Sequence, residues 1–179
     1  MDLRKQLHDV LYARVLFTLA VLTAVLWVQV ADHGFKAAEL AVALVVLVAA
    51  NAPFLVLARR VAAQPLAAAT VAVDIALVTA GVVFSGGALS AVAVYYVWPI
   101  VFASVFLSAW VPYAAAVASG CAYAGVWLLQ AAGSINPTAM VDEAVLPTNW
   151  MLITVSLYAA AFLLTALLAG RLAATLARR

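Results

Sequence analysis

Of the 179 residues, 69% are hydrophobic and 9% charged, and the mean hydropathy is +1.18. A soluble domain is about half apolar and about a quarter charged, so a soluble fold of this length has no interior able to take the surplus, and lipid must. The net charge of +2 is too small to argue for a nucleic-acid partner, and a single cysteine, Cys121, leaves no disulfide framework or thiolate metal site.

The apolar residues fall in runs of about 20, the length a transmembrane helix needs, and no alternating β-barrel pattern accompanies them. The expected fold is all-α: a polytopic bundle of six transmembrane helices. Ahead of them, Leu3, Leu7, Val10 and Leu11 form a stripe opposite Arg4, Lys5, His8 and Asp9. That pattern suits a short amphipathic lead-in helix on the inner leaflet over residues 1–11, and equally an extension of the first span. The first span, Tyr12–Ala31, ends at Asp32-His33-Gly34; it is not a cleavable signal, because five more spans follow.

The second span, Ala38–Ala58, carries Asn51-Ala52-Pro53 and closes on Arg59-Arg60. Pro53 removes a backbone hydrogen bond and kinks its helix, and Asn51 is placed to satisfy the freed carbonyl. Such a kink serves as a hinge, or is one of the many that membrane helices tolerate. The third span, Leu66–Phe84, holds Asp74 about eight residues in, roughly 12 Å deep. No Lys or Arg lies at that depth in another span, so Asp74 needs neutral partners among Asn51, Thr70, Thr79, Tyr95, Tyr96, Ser104 and Tyr158. It reads either as a polar sensing or ion-linked site, or as a protonated acid gluing helices together. Ser85-Gly86-Gly87-Ala88-Leu89-Ser90 is then a charge-free turn whose glycines permit positive φ and a close return of the chain.

The fourth span, Leu89–Ala109, contains Tyr95-Tyr96-Val97-Trp98 followed by Pro99, a second proline kink. The aromatic cluster lines an apolar pocket with polar tips, or packs against Asp74, and packing is the simpler use. After a corner at Trp110-Val111-Pro112, the fifth span, Pro112–Ala131, presents Ala116, Gly120 and Ala124 as a small-residue ladder for close helix packing, with Cys121 read as a small buried hydrophobe. A polar stretch leads to the sixth span, Trp150–Gly170. Leu164, Leu168, Leu172 and Leu176 recur every four residues, so this helix is expected to continue over 171–179 as the start of a connector. The organisation expected is thus a lead-in over 1–11, a six-helix membrane domain over 12–170 and a connector over 171–179.

Arg4, Lys5, Arg14, Arg59, Arg60, Arg171, Arg178 and Arg179 fall on one side of this arrangement and Lys36 alone on the other. Eight against one is the positive-inside pattern, with both ends in the cytoplasm. Catalysis has little to stand on. His8 and His33 lie on opposite sides with no triad or metal spacing, no phosphate-binding glycine loop follows, and no cofactor is expected.

Several stretches in order are reminiscent of one family: Leu11-Tyr12-Ala13-Arg14, Val73-Asp74-Ile75, Ser85-Gly86-Gly87 with Ser90, Tyr96, the run Pro99–Ser108, Tyr123 with Leu128-Leu129-Gln130, and Leu167–Leu176. Together they resemble the six-helix membrane sensor region of PilS-like bacterial histidine kinases, over nearly the whole chain. The Asp with Ser-Gly-Gly-x-x-Ser is the most specific part. The resemblance implies a module of the bacterial inner membrane that dimerises and passes a signal down its last helix. The PAS, phosphoacceptor and ATP-binding modules of such kinases would belong to a longer parent chain. The partners implied are the lipid bilayer, a second copy, and a membrane protein or small apolar ligand as stimulus. A different class stays open: a small substrate-binding membrane subunit similar in size and span count to those of energy-coupling-factor transporters. Asp74, Tyr95 and Trp98 would then line a vitamin-sized pocket.

Overall fold

A computed structural model describes Pro53, Phe54, Leu57 and residues 62–84, 87–134 and 148–177. The lead-in, the first span, most of the second, and Asn51, Ser85 and Gly86 lie outside the described residues. By its contacts the chain divides into two units, Met1–Leu66 and Ala67–Arg179. In the first, Pro53, Phe54 and Leu57 have helical backbone; Pro53 is exposed and Phe54 buried. The candidate site lies in the second.

All regular structure among the described residues is helical: α1 (Ala63–Phe84), two 3₁₀ segments (Gly87–Leu89 and Ala91–Tyr96), α2 (Val97–Phe106), α3 (Val111–Ala131) and α4 (Thr148–Ala177). Lipid offers the backbone no hydrogen bonds, so an apolar run must close its own, and a helix does that within one segment. Three stretches, Gln64–Val83, Val111–Ala131 and Leu152–Thr175, are long and apolar enough to cross a membrane. The protein is a helical membrane protein.

Sequence punctuation sets the helix ends. Pro65 and Pro112 sit in the first turns of α1 and α3, where a missing N–H costs nothing because that turn has no acceptor. α3 stops at a Schellman cap: Gly133, at φ +69°, donates its N–H to the Gln130 carbonyl and Ser134 donates to Leu129, both at 3.0 Å.

The fourth span departs from expectation. It is not one helix over Leu89–Ala109. Ser90 caps a six-residue 3₁₀ helix, its hydroxyl accepting from the Val92 N–H at 3.1 Å, and α2 takes over for only ten residues. The cause is Pro99, at the third position of α2. It has no N–H for the Tyr95 carbonyl, and its ring crowds that carbonyl in α geometry. The backbone upstream takes i→i+3 bonds instead, as in Val97 N–H to the Val94 carbonyl. Six residues rising about 2.0 Å and ten rising about 1.5 Å still extend about 27 Å, close to the hydrocarbon thickness of about 30 Å. Leu107 is extended, at φ −121° and ψ 173°. The corner therefore occupies residues 107–110, earlier than the Trp110-Val111-Pro112 expected.

Helices α2, α3 and α4 pack on one another, with α4 against both of the others. The α3 stripe is Pro112, Ala115, Ala116, Ser119, Tyr123, Val126 and Trp127, all buried, at the three-and-four spacing of one helix face. Facing it are Tyr96, Ile100 and Ala103 at 0% exposure and, on α4, Phe162 at 1% and Ala166 at 0%. α4 runs unbroken through Arg171 to Ala177, 30 residues and about 45 Å. Antiparallel to α3, it places Tyr158 on Tyr123 and Ala159 near Gly120. That register sets the first residue of α3 against about Gly170, so α4 projects about seven residues, or about 10 Å, beyond the start of α3.

Candidate functional site

A single set of side chains ties the Gly87–Ser90 turn to the last helix. Ala88, 2% exposed, has both backbone groups taken by side chains of α3. Its N–H donates to Gln130 Oε1 at 3.0 Å, and its carbonyl accepts from the Tyr123 hydroxyl at 2.6 Å. Tyr123 and Gln130 are seven residues apart, two helical turns on one face, so α3 offers them as a pair. Gly87 stands beside them at φ +68°, and a β-carbon there would lie on the Gln130 amide. The turn therefore needs glycine twice over, for its backbone angle and for the room Gln130 occupies.

From this clamp a file of aromatic rings runs inward. Tyr123 meets Tyr158 of α4 with centroids 4.7 Å apart; Tyr158 meets Phe162 at 5.8 Å; Phe162 meets Tyr96 edge-on at 5.6 Å. The file ends in a hydrogen-bond chain on α1. The Tyr96 hydroxyl lies 2.6 Å from Thr79 Oγ1, and Thr79 itself donates to the Ile75 carbonyl at 2.7 Å. With the Thr79 proton committed there, Tyr96 is the donor. Gly81 brings α1 close to the same 3₁₀ helix, 3.2 Å separating the place of its β-carbon from Val92 Cγ1. Changing Tyr96 to Phe removes only this one bond. We expect a loss of about 0.6 kcal/mol, and not above about 1.7, in detergent-micelle unfolding. A larger loss would show that the hydroxyl holds more than Thr79.

Asp74 sits in the middle of α1, with eleven helical residues before it and ten after, about 15 Å from either end. It is 6% exposed, one turn beyond Thr70 at 0%. Among the polar groups considered for it, Thr79 bonds Tyr96, Ser104 donates to the Val101 carbonyl at 2.7 Å, and the Tyr158 ring stacks between Tyr123 and Phe162. Of the aromatic cluster, Tyr96 points fully inward while Tyr95 and Trp98 are half-buried. Pro99 is buried at the 3₁₀-to-α junction, and Ser90 caps the 3₁₀ helix.

On α3, Ala116 is buried and Gly120 and Ala124 are half-buried, Gly120 lying 4.0 Å from Ala159 of α4 as measured from its β-carbon position. Cys121 corrects its expectation: it is exposed, pointing away from the stripe through Ser119 and Tyr123. Among the described residues no cluster of His, Cys, Asp or Glu could hold a metal. Reading by motif meets Tyr123 and Gln130 only as part of a resemblance, with no role for either, and passes over Phe162. The glycine pair signals that something comes close to the turn, and two polar-tipped residues on one face of the following helix say what. No protein-family model, curated protein or solved structure matches the chain.

Proposed function

We propose that this chain is the membrane-embedded signal-input domain of a two-component histidine kinase, passing a membrane or outer-side signal through its last helix to cytoplasmic modules. In this reading the chain is a six-span bundle of the bacterial inner membrane, with both ends inside by its eight-to-one charge asymmetry, and it works as a homodimer. The observation that carries the proposal is α4. It is one unbroken helix that packs on both α2 and α3, receives the aromatic file at Tyr158 and Phe162, and continues past the start of α3 through Arg171. A helix held by the bundle at one end and extending from it at the other is a mechanical output, able to carry a rotation or displacement between two packing states.

Asp74 is the group on which two such states would differ most. An ionised carboxylate at mid-bilayer costs about 2.5–3.5 kcal/mol on the insertion scale, so a change in its surroundings weighs heavily against the few kcal/mol that separate two packings. The test is to fuse the bundle to a histidine-kinase core in the register of α4. Autophosphorylation should then depend on the bundle, and Asp74→Asn should shift it by about fivefold or more. The same output with and without the bundle would falsify this reading.

A further inference from the structure

We propose that the Gly87–Ser90 turn is a latch, closed by Tyr123 and Gln130, that holds the segment Ala91–Tyr96 in its 3₁₀ form and so sets the packing of the last helix. The argument starts from length. Runs of 3₁₀ helix beyond three or four residues are uncommon, because their hydrogen bonds are poorly aligned; this one has six. Pro99 accounts for its downstream end. Its upstream end is fixed by Ser90, whose N–H donates to the Gly87 carbonyl at 3.0 Å and whose hydroxyl caps Val92. The turn beneath Ser90 is pinned in turn through Ala88, both of whose backbone groups are held by α3.

Release of Ala88 frees that upstream end. Conversion of the four upstream residues, Ala91–Val94, from about 2.0 to about 1.5 Å rise shortens the segment by about 2 Å and unwinds it by about 20° per residue. Tyr96, the last residue of the segment, cannot keep both its Thr79 bond and its contact with Phe162 through such a change. Tyr123 belongs to both ends of the device, since its hydroxyl holds Ala88 while its ring lies on Tyr158. The latch is thus a discrete two-position element feeding α4. It deepens the signal-input reading, because the helix it steers is the proposed output.

The experiment uses the full chain in nanodiscs, in a Cys121→Ala background, with spin labels at Ser108→Cys and Thr175→Cys. Both positions are exposed, one in the corner after α2 and one on the projecting end of α4. Gln130→Ala should speed amide exchange at Ala88 by about tenfold and shift or broaden the interlabel dipolar distance. Tyr123→Phe, which keeps the ring, should do the same. Unmoved labels beside faster exchange would reduce the clamp to a local staple and overturn the latch, and so would unchanged exchange. Moved labels support it even where the kinase fusion is silent, so the latch and the signalling role fail separately.

Discussion

Alanine in place of Phe162 should cost the bundle about 2–3 kcal/mol, whereas alanine at the neighbouring Leu163 should cost less than about 0.5 kcal/mol. Hydropathy does not separate the two, but geometry does. Phe162 is 1% exposed and touches the rings of Tyr96 and Tyr158, while Leu163 is 46% exposed. In lipid the apolar transfer term is nearly absent, since the unpacked side chain still sits in hydrocarbon. What remains is the cavity. At about 24 cal/mol per Å³, losing about 100 Å³ of ring gives about 2.4 kcal/mol, to which the lost edge-on contact with Tyr96 adds about 0.5 kcal/mol. Unfolding of both variants by a denaturing detergent, scored against the parent, measures the difference. Equal losses at the two positions would mean that α4 is held by general apolarity rather than by this ring.

The same contrast explains what the sequence made legible. α1, α3 and α4 follow from apolar runs of span length, and each lies within a few residues of where hydropathy places it. The fourth span misleads because hydropathy does not distinguish i→i+3 from i→i+4 bonding. Its form depends on one missing N–H at Pro99 and one hydroxyl at Ser90. On α3 the readable ladder of Ala116, Gly120 and Ala124 joins the buried stripe only at Ala116, its other two members being half-buried. In an alanine-rich helix small residues occur on every face, so they mark none, and nothing in the pattern sets Cys121 apart as exposed. Asp74 stands out in any reading, being the one acid in its apolar run. The clamp does not, because Ala88 and Gln130 are 42 positions apart, and only the antiparallel return of α3 brings them together.

Gly87→Ala should be the most damaging of the single-methyl changes, at about 2–4 kcal/mol. Two independent terms make up that figure. A residue with a β-carbon at φ +68° carries about 1–2 kcal/mol of backbone strain. The new methyl also lies on the Gln130 amide, so Gln130 must withdraw and leave the buried Ala88 N–H without its acceptor, a further 1–2 kcal/mol or so. Gly125→Ala is the control. Its β-carbon meets nothing within 4 Å, its backbone is helical, and it should gain up to about 1 kcal/mol from helix propensity. The two terms separate in a double-mutant cycle. Once Gln130→Ala has removed the amide, the steric part of Gly87→Ala disappears and only the strain survives. The pair should then cost about 1–2 kcal/mol less than the sum of the single changes. Strict additivity would mean that Gln130 does not fill the space beside Gly87, and that the turn is shaped by its own backbone alone.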